Sequence, residues 1–100
     1  MNNTLIHSTL SDEDFRDLVE LFVSELPQKI AECQAALGSQ DWERLRMMAH
    51  RLKGSAGSYG FPSISRAALE LEISISGQTP QATIQEHVQT LAHLCTRARP

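Results

Sequence analysis

The residues best equipped for chemistry lie in one run, His50-Arg51-Leu52-Lys53-Gly54-Ser55-Ala56-Gly57. An imidazole in water titrates near about 6.5, so at pH 7 most of it is neutral and one ring nitrogen has a lone pair free to attack. A carboxylate that holds the other ring nitrogen as its N–H fixes the tautomer and leaves Nε2 as the nucleophile. Glu70 and Glu72 are the candidates for that carboxylate. Lys53, three residues after the histidine, can offer an ammonium to an anion held there. The chemistry these residue types suit is attack by an open imidazole on an anionic electrophile.

Helical spacing decides whether the imidazole is open. At about 100° per residue, with Leu45 at zero, the apolar residues Leu45, Met48, Ala49, Leu52, Ala56 and Tyr59 share one arc, and His50 falls at about 140°. Arg46, Met47, Lys53, Gly54 and Gly57 lie within roughly 60° of it. A glycine inside a helix costs up to about 1 kcal/mol relative to alanine, so two of them beside one histidine need a cause. Close helix packing is a poor one for Gly54, which points nearly opposite to the apolar arc. Clearing side chains at these positions lets a bulky group or a second protein reach the ring.

The elements that must carry this strip are helices. Ser11 followed by Asp12, Glu13 and Asp14 reads as a helix start, with a hydroxyl cap and carboxylates at the positive end of the dipole. Phe15, Leu18, Val19, Phe22, Leu26, Ile30, Cys33 and Leu37 then recur in steps of three and four. Pro27 predicts a kink or a brief break in that first helix. Gly38-Ser39 ends it, and a second helix starts near Ser39 to Asp41 and stops at Gly60-Phe61-Pro62. A third, with Pro62 in its first turn, buries Ile64, Ala67, Ala68, Leu71 and Ile75 and ends at Gly77. Thr79-Pro80 opens a fourth, striped by Ile84, Val88, Leu91, Cys95 and Ala98. Short connections between four amphipathic helices predict an all-α, up-down-up-down four-helix bundle over residues 11–98, preceded by an N-terminal arm or short extra turn over residues 1–10.

Composition narrows the function. One hundred residues make one small domain with no deep cofactor cavity. The 41% apolar and 21% charged residues disfavour disorder. A net charge of -3 makes nucleic acid a poor partner. No long apolar run or basic leader points to a membrane, and two thiols without metal-type spacing, Cys33 and Cys95, fit the core of a protein of the reducing cytoplasm. His87 and His93 lie on different sides of the last helix, so a metal site with Cys95 is disfavoured. There is no phosphate-binding Gly-rich loop and no carboxylate cluster suited to Mg²⁺, so the chain is not expected to use ATP itself or to hold a cofactor.

The run from His50 to Gly57 resembles the signature of histidine-containing phosphotransfer (HPt) domains, relay modules of bacterial multistep phosphorelays. Phe22, Pro27, Asp41-Trp42, Ala49, Gly60 and Leu71-Glu72 are also similar to the family pattern, and the resemblance covers roughly residues 12–96. It implies a four-helix bundle in which His50 accepts the phosphoryl group, Lys53 lies near the phosphoryl oxygens, Gly54 permits access and Glu72 holds the imidazole. A basic residue that some members carry four positions after that carboxylate is replaced here by Ser76, so a second cation would have to be Arg46 or Arg51. The implied partners are the receiver domain of a hybrid sensor kinase and a response regulator, with Mg²⁺ on the receiver. The domain is then a phosphocarrier rather than an independent catalyst, expected to be a monomer. Arg46, Met47, Arg51 and Gly57 are the expected partner-binding residues, with exposed residues of the first helix beside them. The competing expectation is a helical docking module that binds a receiver or kinase domain through the same surface without being phosphorylated.

Overall fold

The computed structural model describes residues 4–100. Four helices form: α1 (Arg16–Gly38), α2 (Trp42–Ser58), α3 (Pro62–Ser76) and α4 (Gln81–Thr96). Asp41 caps α2 by accepting from the Arg44 N–H, and Pro62 and Pro80 set the starts of α3 and α4, where no N–H is needed. The first helix begins differently from expectation. Asp12, not Ser11, is the cap, and it starts a 3₁₀ turn (Glu13–Phe15) that leads into α1. Beyond that, α1 runs without a break through Pro27.

Three helices close with the same hydrogen-bonded hook, in which the first and second residues past the cap turn back onto the last turn. Asp41 N–H reaches Ala36 O after α1, Phe61 N–H reaches Ala56 O after α2, and Thr79 N–H reaches Ser74 O after α3. The residue in the left-handed region at the hook is Gln40, Gly60 and Gln78 in turn, with φ of 56°, 84° and 54°. Gly38 and Gly77 end their helices as expected, but neither supplies the left-handed residue.

The core is one cluster running the length of the bundle. Leu45, Ala49, Leu52 and Ala56 of α2, all five apolar positions expected of α3, and Ile84, Val88, Leu91 and Cys95 of α4 are buried. Phe22 stacks on Tyr59 and Phe61, with ring centroids 5.1 and 5.8 Å apart, and so ties α1 to the α2–α3 corner. The alanines Ala49, Ala56, Ala67 and Ala68 let α2 and α3 pack closely, which brings the functional strip of α2 beside α3. Two residues of the expected α1 stripe are not core: Phe15 is 46% and Leu18 47% exposed. Phe15 precedes the helix, and Leu18 lies in its first turn, ahead of the buried run that begins at Val19.

The termini pair, which helical periodicity does not reveal. A short strand, β1 (Ile6–His7), runs parallel to β2 (Ala98–Arg99). Ala98 is thus buried as expected but in a strand beyond α4, not on the helix. Thr9 N–H then donates to Gly60 O at 2.8 Å and Ser8 Oγ to Tyr59 O at 2.6 Å, fastening the N-terminal segment to the α2–α3 corner. Of the N-terminal arm, residues 1–3 lie outside the described residues.

Candidate functional site

The strip expected on α2 is open. The His50 side chain is 60% exposed, and Ala49 and Leu52 on either side of it in sequence are buried, anchoring the helix behind the ring. A side-chain β-carbon built at Gly54 would meet nothing within 4 Å, so this glycine serves no helix contact. Gly57 differs: a β-carbon there would touch Ser65 Oγ at 3.4 Å, and that hydroxyl donates to Lys53 O at 2.8 Å. Gly57 is exposed but sits at the seam with α3 rather than against His50.

Glu72 reaches the strip from α3. Its Oε2 accepts from His50 Nδ1 at 2.9 Å and its Oε1 from Lys53 Nζ at 3.1 Å. Glu70, the other carboxylate considered, instead lines a shallow hollow between α3 and α4 with Arg66 and Thr90. The Glu72 side chain is only 16% exposed. Burial pushes its carboxyl up, but the hydrogen bonds from Lys53 and His50 and their charges outweigh this, and the net result is below the ordinary 4.5. An ionised carboxylate can only accept, so the imidazole bears its proton on Nδ1 and leaves the Nε2 lone pair facing outward.

Arg46, one turn before His50, donates from Nε to Glu43 Oε2 at 3.1 Å and from a terminal nitrogen to Glu43 Oε1 at 2.5 Å. Its other terminal nitrogen is 4.0 Å from Glu72 Oε2. Arg46, Met47, His50, Arg51 and Glu72 together line an open hollow of about 350 Å³. Three of the four residues expected to meet a partner therefore line the same hollow as His50, and Gly57 does not. Lys53 is part-buried against Glu72.

Sequence reasoning missed Leu69 and Ile73, which are 38% and 60% exposed on the outer face of α3, either side of Glu72. The signal was available, since both fall about 160° from Leu71, the centre of that helix's buried stripe. The two cysteines are buried and free, and burial raises Cys33 to about 11 and Cys95 to about 12, so neither supplies a thiolate near neutrality.

The ion pairs at Glu72 give a pH-dependent expectation. A carboxylate whose folded pKa is depressed stabilises the fold above its ordinary value and loses that contribution as pH falls through the lower folded value. Glu72→Gln should therefore lower Tm at pH 7, by an amount on the order of a few degrees. The gap to the unsubstituted protein should shrink as pH drops below 4.5. Thermal melts at neutral and acid pH measure it, and a gap that holds constant with pH would show that these pairs do not stabilise the fold.

With this geometry in view, the comparison with known families is decisive: the Hpt domain model matches residues 17–99. The chain belongs to the Hpt domain family. No curated protein and no solved structure matches it. Membership assigns the Hpt bundle a role in histidine phosphotransfer in two-component signalling, and Hpt domains interact with receiver domains and response regulators. Among the described residues no helix is long and apolar enough to cross a membrane.

Proposed function

We propose that this Hpt domain relays a phosphoryl group between receiver-domain aspartates through Nε2 of His50. The observation that carries the reading is the Glu72–His50 hydrogen bond under an exposed ring, because it points one nitrogen lone pair outward on a helix otherwise stripped of side chains at Gly54. In the forward step the Nε2 lone pair forms an N–P bond while the acyl P–O bond of the aspartyl phosphate breaks, and the electron pair leaves on the receiver's carboxylate. The ring, still protonated on Nδ1, becomes an imidazolium, and the Glu72 carboxylate balances that charge. The return step reverses each change. Positioning and charge stabilisation dominate such a transfer, and in this scheme Mg²⁺ belongs to the receiver.

Docking draws on exposed apolar side chains around the ring. Met47 borders the hollow, and Leu69 and Ile73 are exposed on α3, the helix that carries Glu72. A contact of this kind is small and quickly released, as a relay requires. Incubation with a phosphorylated receiver should leave label on this chain that is lost in acid and kept in alkali. A docking module that is not phosphorylated would bind the receiver and take no label, which would overturn the reading.

Access gives a second expectation. Gly54→Leu should leave Tm unchanged or slightly higher, since a helix-interior glycine is replaced where there is open space. Transfer from the receiver should slow about tenfold or more, because the new side chain obstructs the approach to Nε2. Stopped-time labelling measures this, and an unchanged rate would remove the access argument.

A further inference from the structure

Three cations lie near the imidazole, and the hollow beside it is lined by Arg46 and Arg51 but not by Lys53. Lys53 Nζ lies on Glu72 Oε1, while Arg46 comes within 4.0 Å of Oε2, the oxygen that takes Nδ1. The hollow against the ring is bordered by two guanidiniums, those of Arg46 and Arg51, and its volume of about 350 Å³ is more than ten times the roughly 30 Å³ a water occupies in the liquid. α3 adds no cation there, because Arg66 lines the hollow on its other side with Glu70.

Of the two guanidiniums, Arg46 is the one already held in place. It lies about 40° from His50 around α2, against about 100° for Arg51. Its side chain is 34% exposed and anchored by Glu43, whereas Arg51 is exposed and makes no ion pair among the described residues. A planar fork that is already ordered loses less freedom on taking a new anion. The anchor is also replaceable: the Glu43 side chain is 69% exposed, and exposed pairs of this kind contribute little to stability. A phosphoryl dianion is a stronger acceptor for a guanidinium than a solvated carboxylate.

We propose that Arg46 leaves Glu43 to bind the phosphoryl group once it is on His50, making Glu43 a carboxylate placeholder for the phosphoryl oxygens. The proposal rests on the phosphotransfer reading and names the cation that serves it. Arg46 takes the phosphoryl oxygens from the α2 side, while Lys53 remains on Glu72.

The test uses the full chain and potassium phosphoramidate as donor, so no receiver is needed. The Nε2 lone pair forms the N–P bond, the donor's own P–N bond breaks, and ammonia leaves with the protons the zwitterionic donor already bears. The phosphoryl ionisation of the labelled protein is then followed by ³¹P NMR across pH. A nearby cation favours the dianion, so Arg46→Gln should raise that ionisation by about 0.5 to 1 unit, and Lys53→Gln should move it less. Glu43→Gln should lower it in the unsubstituted protein and have little effect in the Arg46→Gln background, a dependence that a purely structural role for Arg46 would not produce. Label on His50 with a titration that Arg46→Gln leaves unmoved, or that only Lys53→Gln moves, overturns the proposal while the phosphotransfer reading stands. A chain that takes no label at His50 sinks both.

Discussion

His50→Gln should abolish phosphoryl uptake from a phosphorylated receiver while leaving the bundle folded. The two halves of this expectation have separate physical grounds. Uptake needs a lone pair on a nitrogen that can form and later break a bond to phosphorus, and a primary amide has none available at neutral pH. Folding is indifferent because the ring is largely in water and the residues that bury α2 on that turn are Ala49 and Leu52, not His50. Gln also retains a donor that can reach Glu72, and it is a better helix former than His, so the change in stability should stay within about 0.5 kcal/mol. The substitution leaves His7, His87 and His93 in place. Complete loss of acid-labile label with an unchanged Tm would therefore assign the site to one imidazole. Label that persists would place the phosphoryl group on another residue and remove His50 from the mechanism.

How far the site could be read from the sequence depends on which dimension is asked about. Along a single helix the reading was nearly complete, because periodicity fixes which residues share a face: Leu45, Ala49, Leu52 and Ala56 are buried, and His50 and Gly54 are open. Between helices it stopped at a symmetry. Relative to Leu71 at the centre of the α3 stripe, Glu72 lies about 100° to one side and Glu70 about 100° to the other, so pattern alone makes them mirror images. Which one meets His50 depends on whether α2 packs on the right or the left of α3, and that hand belongs to the bundle and not to either helix. The family resemblance broke the tie toward Glu72, and the 2.9 Å contact places it there. The pairing of Ile6–His7 with Ala98–Arg99 was illegible for another reason. Two residues are too few to show alternation, and the bonds that hold them are between backbone groups, which carry no side-chain signature.

Gly60 shows what that terminal segment does to the energetics of the α2–α3 corner, and Gly60→Val should be the most damaging single substitution at that corner. Two costs coincide there. The residue sits at a φ of 84°, which a β-branched side chain adopts only with strain. A β-carbon would also come within 2.5 Å of Ser8 Oγ, 2.8 Å of Thr9 N and 2.9 Å of Leu10 N. The serine hydroxyl could swing aside, but the other two atoms are backbone, and moving them breaks the bond from Thr9 N–H to Gly60 O that anchors the segment. Each cost is on the order of 1 to 2 kcal/mol, so together about 3 kcal/mol is expected. For a domain of this size that corresponds to a fall in Tm of more than about 10 °C. Gly60→Asn separates the two contributions, because asparagine tolerates the left-handed region but still carries the β-carbon. If the clash dominates, Asn should destabilise nearly as much as Val. If backbone strain dominates, Asn should be clearly the milder of the two. A Gly60→Val protein that melts with the unsubstituted chain would contradict both the left-handed backbone at this residue and the packing of the N-terminal segment against it.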